Sequence, residues 1–360
     1  MNRTAKKLLQ KYTVVDGHNH IFLEIAKRRN KGENAVFLNH YANSFRQTGI
    51  NVIMTTVGGA HFGLTDNTDL LLWGSLSMLD KLYEEADESG EVMAICRNSQ
   101  EIENALKQGK IAVLLTMEGA RPIEGKPHDM TLAVLRNFYR LGLRGLQLVD
   151  NGRNRLCDGK GEIRTKGGLT NFGISVVKEM NRLGMVIDVA HITEPGFWDV
   201  LEISEDPVID SHSNCWSVCD HQRNLKDEQI KALAKKGGVI GLSSHGAMTS
   251  KESDNPTIAD LLNHLDHIVK LVGIDHVGLG PDLLEPHNMP MTMKEGFLEG
   301  VFYTARESLY IENFSGSGPL DIPVFMELFT KEMIQRGYND DEIKKVLGLN
   351  WIRVYKQIIG

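Results

Sequence analysis

No run in this 360-residue chain approaches the roughly 18–20 consecutive apolar residues that a membrane-crossing helix needs. The first stretch, Met1 to Lys11, is polar and basic with no apolar core, so neither a signal peptide nor an anchor is expected. Cysteine is scarce: Cys96, Cys157, Cys215 and Cys219 are the full set of 4. Only the last two are close, as C-x₃-C without a second pair, which argues against a structural zinc knuckle. Free thiols without an export signal predict a cytoplasmic protein. Basic runs are also missing. Lys plus Arg number 40 against 47 Asp plus Glu, a net charge of −7, which leaves no electrostatic case for nucleic acid or an anionic membrane as main partner. Internal repeats, low-complexity stretches and a dividing linker are absent too, so a single domain over residues 1–360 is expected.

What is present is an ordinary globular composition. With 41% apolar and 24% charged residues the chain falls outside the disordered, collagenous and disulfide-scaffold classes. Short apolar runs recur, each followed by a polar, helix-like segment. They read Thr13–Val15, Asn51–Val57, Ile111–Thr116, Arg144–Val149, Met185–Val189, Pro207–Ile209, Gly238–Leu242 and His276–Leu279. Near-continuous Val, Ile and Leu, rather than alternation, predicts parallel strands buried on both faces. Between them, Val176, Val177, Met180 and Leu183 form one helical stripe that Gly184 stops, and 225–236 and 260–272 repeat the pattern.

Strand, helix and stop in alternation predict βαβ units, and eight strands predict a closed (β/α)₈ barrel of the TIM type. A Rossmann site is not supported, because Gly278-x-Gly280 runs into Pro281-Asp282 and not into a glycine-opened helix. The stretch 283–320 reads as a long excursion after the eighth strand. The tail, Asp321 to Gly360, reads as two helices packed on the barrel's outside.

The informative feature is what ends each run: Asp16-Gly-His18-Asn-His20, then Glu118, Asp150, His191, His212, His245 and Asp282. In a barrel all carboxyl-terminal strand ends face one mouth, where active sites of this architecture are built. His18 and His20, two apart on an extended segment, can turn both imidazoles to one ion. Glu118 closes an apolar run, where a carboxylate is costly to bury unless paired or coordinated. His191 and His212 add two more donors. Together these exceed what one four-coordinate zinc needs. Two ions about 3.5–4 Å apart, bridged by Glu118 and a water, would use them all and acidify that water. Asp282 would then carry protons to and from it. His61 after Gly58-Gly59 is a candidate substrate contact, His221 a support for Arg223, and Asp16 an orienting residue for the histidines.

Around these residues the chain resembles the membrane (renal) dipeptidase family of zinc peptidases. The resemblance is carried by Val15-Asp-Gly-His-Asn19, Glu118-Gly119, Gly168-Leu-Thr-Asn-Phe-Gly173, Ile187-Asp-Val-Ala-His191, Asp210-Ser-His-Ser-Asn214, Cys219-Asp-His-Gln-Arg-Asn224 and Gly273-Ile-Asp-His-Val-Gly278. It implies an amidohydrolase-type barrel, a two-zinc centre and dipeptide substrates with free amino and carboxylate ends. By the same resemblance His18 and His20 hold one ion, Glu118 bridges, and His191 and His212 hold the other. Arg223 matches the arginine that receives the substrate carboxylate, a task suited to its bidentate fork. Asp282 matches the acidic residue of the last strand.

Three departures stand out. His20 replaces the family's usual aspartate, making the site about one charge more positive. Asp150 replaces a usual His or Tyr near the substrate carbonyl; an ionised aspartate cannot donate to a developing oxyanion, and would instead ligate a metal or attract a substrate amine. Pro281-Asp-Leu-Leu-Glu285 replaces the usual Ser-Asp-Phe-Asp-Gly. The leading expectation is a dipeptidase-like zinc hydrolase. The alternatives are a hydrolase, lyase or decarboxylase for another small molecule at an altered metal site, and a binding protein that has lost catalysis. A homodimer is a possible assembly, with no segment marking its interface.

Overall fold

The computed structural model describes residues 4–59, 71–124, 132–162, 164–165, 167–252, 256–283 and 321–360. His61, and the expected excursion apart from Leu283 itself, lie outside them.

Nine strands are described: β1 (Val14–Asn19), β2 (Ile50–Gly59), β3 (Met93–Ile95), β4 (Ile111–Glu118), β5 (Leu143–Gln147), β6 (Val186–Asp188), β7 (Val208–Ile209), β8 (Ile240–Leu242) and β9 (Val277–Leu279). β1, β2, β4, β5, β6 and β7 pair in that order, every pair parallel. β8 and β9 form a second parallel pair. A parallel bridge between Asp210 and Ile240 joins β7 to β8, and the Asp282 amide donates to the His18 carbonyl at 3.2 Å, joining the end of β9 to β1. The curled sheet is a (β/α)₈-type barrel, as the eight apolar runs predict. β3 was not among those runs. Met93 is buried and Ala94 and Ile95 are half-buried, and the strand pairs only with the start of β4, on the edge that β5 takes over further along.

Local sequence explains the helices. Asn171–Leu183 starts at Thr170, whose side chain accepts from the Gly173 amide, and stops at Gly184 in the left-handed region at φ 67°. Ile258–Val272 begins with a reciprocal capping box between Thr257 and Asp260.

Two apolar layers share the strands. Val14, Ile53, Val113, Leu115, Ile187, Val208 and Ile240 face the helices. Val15, Val52, Met54, Ala112, Leu114, Val186 and Ile209 join Trp351, Val354 and Tyr355 of the last helix, Asn350–Ile359, in a second cluster. This corrects the expectation that the tail packs outside. Ile322–Gln335 does pack on the outer layer, but the last helix closes the floor of the barrel. Trp351 donates to the Leu279 carbonyl at 3.2 Å, and Gly17, Gly241 and Gly278 leave the room its ring fills. A Cβ on Gly278 would lie 2.4 Å from the indole nitrogen.

Candidate metal centre

The strand ends deliver their polar residues to one point. His18, His20 and Glu118 form one group of potential ligands and Glu118, His191 and His212 another, with the donor atoms of each group within 4.8 Å of one another. All of these residues are buried. Glu118 stands between two histidine pairs. Its Oε2 lies 3.3 Å from His20 Nε2 and 3.7 Å from His18 Nε2; its Oε1 lies 3.2 Å from His191 Nε2 and 3.7 Å from His212 Nε2. Each carboxylate oxygen thus faces a different imidazole pair. His191 Nε2 and His212 Nε2 stand 2.8 Å apart. Ring nitrogens converging on each other and on a split carboxylate could hold a metal ion, and imidazole with carboxylate is a donor set zinc accepts.

The electrostatics follow from burial and neighbours. Burial pushes the Glu118 carboxyl upward, but His18, His191 and His20 outweigh it and hold the group well below its usual range. Burial and the charge of Arg223 bring His191 down to about 4, and burial also lowers His212, with help from His18 and Arg223. Both imidazoles are therefore neutral, the form that ligates. Burial lowers His18 as well, yet the proximity and charge of Glu118, then Asp282, lift it to about 9 without a metal.

Supports surround this core. Asp16 Oδ1 accepts from the His18 amide and Oδ2 from the Asn19 side chain, so it shapes the turn that presents His18. Asn151 Oδ1 holds His191 Nδ1 at 2.8 Å. Ser211 Oγ lies 2.8 Å from His212 Nδ1 and 3.3 Å from His18 Nδ1, touching one imidazole of each pair. His191 (φ 66°) and Asp282 (φ 57°) are both left-handed, a strained state for residues with side chains.

Asp282 Oδ1 is 3.1 Å from His20 Nε2 and Oδ2 is 3.0 Å from His245 Nε2. Burial would raise its carboxyl, but His20, His212 and His245 hold it well below the usual range. Arg223 is buried nearby. Its Nη2 donates to the His212 carbonyl at 3.2 Å, and its Nη1 has no hydrogen-bond partner among the described residues. Its amide donates to His221 Nδ1, and its carbonyl accepts from Lys160 at 2.7 Å. Asp150, also buried, accepts from the Gly152 amide at 3.0 Å and belongs to neither ligand group. Sequence reasoning passed over Asn151 and Ser211, although each adjoins a singled-out position; nothing linear distinguishes a supporting hydroxyl or amide.

Known proteins share sequence and fold with this chain. The dipeptidase verJ of Clonostachys rogersoniana is 33% identical over 288 residues, 80% of this chain and 66% of that protein. An uncharacterized dipeptidase of Schizosaccharomyces pombe is 32% identical over 254 residues, 69% of this chain and 53% of that one. The matches thus span about two-thirds or less of those relatives' lengths. A metallo peptidase from Rhodobacter sphaeroides, solved with a phosphinate mimic of the dipeptide L-Ala-D-Ala, shares the fold: TM-score 0.77 at 22% identity, covering 96% of this chain and 99% of that one. The profile of the membrane dipeptidase family, peptidase family M19, matches residues 2–295, and the chain belongs to that family.

Proposed function

We propose that this protein is a zinc-dependent hydrolase that cleaves the amide bond of dipeptides or closely related small amides at a two-ion centre. The observation that carries this reading is the split of Glu118, one oxygen toward His18 and His20 and the other toward His191 and His212. Kinship with named dipeptidases supports the substrate class. When bound, the ions supply a water acidified toward neutrality and a Lewis acid for the carbonyl.

The chain's own residues do the rest. Glu118, held ionised by its histidine neighbours, would hold an ion through each of its oxygens. Asp282, ionised and held by two imidazoles, accepts a proton at a carboxylate oxygen and returns it to the leaving nitrogen. Arg223 receives the substrate carboxylate at Nη1, which has no hydrogen-bond partner among the described residues, and so removes the cost of a buried donor left unsatisfied. Asp150 attracts the substrate's amino end.

The test is a panel of dipeptides with L and D C-terminal residues, run on native, chelator-stripped and zinc-restored protein. Stripping is expected to abolish turnover, zinc to restore it, and metal analysis to give about two zinc per chain. Glu118→Gln is expected to lose activity while keeping its circular dichroism. An active Glu118→Gln variant refutes the bridging role. About one zinc per chain with no dipeptide turnover favours the lyase or decarboxylase reading.

A further inference from the structure

Beneath the candidate metal centre, between the strands and the last helix, lies a small cavity with about 10 Å³ for the centre of a water-sized sphere. That is about the room one water needs. Gln147, Asp188, Ser211 and Tyr355 are among the residues lining it. Two of them carry buried polar atoms without a hydrogen-bond partner among the described residues, Gln147 Oε1 and the Tyr355 hydroxyl. Gln147 Nε2 donates to the Val149 carbonyl, which fixes the amide's orientation and leaves its oxygen as the acceptor. Asp188 Oδ1 accepts from the Ala190 and Ser211 amides, so Oδ2 is its remaining acceptor.

Ser211 links this cavity to the metal centre. A histidine that ligates through Nε2 carries its proton on Nδ1 and must donate it. Ser211 Oγ is within reach of His18 Nδ1 on one side and His212 Nδ1 on the other. A hydroxyl oxygen has two lone pairs and one hydrogen, so it can accept from both rings only if its own hydrogen goes elsewhere.

We infer that the cavity holds one structural water that takes the Ser211 hydroxyl proton, making Ser211 a double acceptor that fixes the tautomers of His18 and His212 together. The hydrogen bonds balance. The water accepts from Ser211 and Tyr355 and donates to Gln147 Oε1 and Asp188 Oδ2, four bonds in all, and both unpartnered atoms are satisfied. Ser211 and Tyr355 are on this account positioning residues, one on each side of the water. The inference rests on the proposed function only in taking His18 and His212 as ligands through Nε2.

The test is threefold, on the zinc-loaded full chain. A crystal structure at about 1.5 Å resolution is expected to show a water within hydrogen-bond distance of all four groups. Nitrogen-15 shifts of labelled histidine are expected to report Nδ1–H, Nε2-ligated rings for His18 and His212. In chelator competition, Ser211→Ala should weaken zinc binding by about 10- to 100-fold. Tyr355→Phe, which keeps the ring in place, should weaken it a few-fold and so carries the test if Ser211→Ala does not fold. A cavity without water, or variants that bind zinc as tightly as wild type, overturns the inference and leaves the proposed function standing. A wild-type chain that binds no zinc overturns the proposed function itself.

Discussion

At the scale of single residues, the centre is a set of costly groups that satisfy one another. Glu118, Asp282 and four imidazoles are each expensive to bury alone. Carboxylate–imidazole contacts of 3.0–3.7 Å, that of His245 included, leave two carboxylates ionised, and the His191 and His212 rings are neutral. Asp282, the proposed proton carrier, is held from several sides. Its backbone is left-handed, and each carboxylate oxygen meets a different imidazole. His245 is the grip that does not also serve a ligand group. His245→Ala should therefore lower kcat by about 10- to 100-fold with little change in KM, since Asp282 loses its aim but the groups proposed to bind substrate are untouched. Steady-state kinetics on a dipeptide substrate checks this, and an unchanged kcat would remove His245 from the mechanism.

At the scale of elements, short strands end where chemistry begins, and the helices behind them are held by charge as well as by apolar stripes. Glu179 on Asn171–Leu183 contacts Arg136 of the preceding helix, Leu132–Arg140, at 3.1 Å and Arg182 of its own at 2.7 Å. The Arg182 hydrogen bond, then Arg136, hold its carboxyl at about 2 against burial. A group lowered on folding contributes stability above its unfolded value, near 4.5, and loses it as pH falls through about 2. Glu179→Gln should therefore lower the thermal midpoint by about 1–2 °C at pH 7, a modest amount because its partners are partly solvated, and by nothing measurable near pH 2. Thermal melts of both proteins across that range test the sign.

For the molecule as a whole, the last helix makes the barrel a closed vessel. Trp351 and Tyr355 complete the inner apolar layer that the strands begin, and three glycines on β1, β8 and β9 make room for the indole. Gly278→Ala should cost about 1–3 kcal/mol by overpacking. Trp351→Ala should cost about 3–5 kcal/mol by leaving a void. In the double variant the added methyl enters that void, so the costs should sum to less than the two singles. Urea unfolding of all three measures the coupling, and strict additivity would separate Gly278 from the Trp351 pocket.

Eight of the nine described strands, the helix stop at Gly184, and the polar residue ending most of those strands were readable along the chain. They depend on local periodicity, backbone freedom and hydropathy, which neighbouring residues determine among themselves. β3 escaped although Val92 to Cys96 are all apolar, because a strand of 3 residues is too short to set it apart from the flanking helices, and the inward turn of the last helix escaped because an amphipathic stripe does not say which surface it meets. Only barrel closure decided that Glu118 divides its oxygens between two histidine pairs, that His245 grips Asp282, and that Ser211 touches an imidazole of each pair. Except for Ser211 and His212, which are adjacent, those contacts join residues tens to hundreds of positions apart, and their distances are set by strand register and tilt, quantities that no local pattern contains.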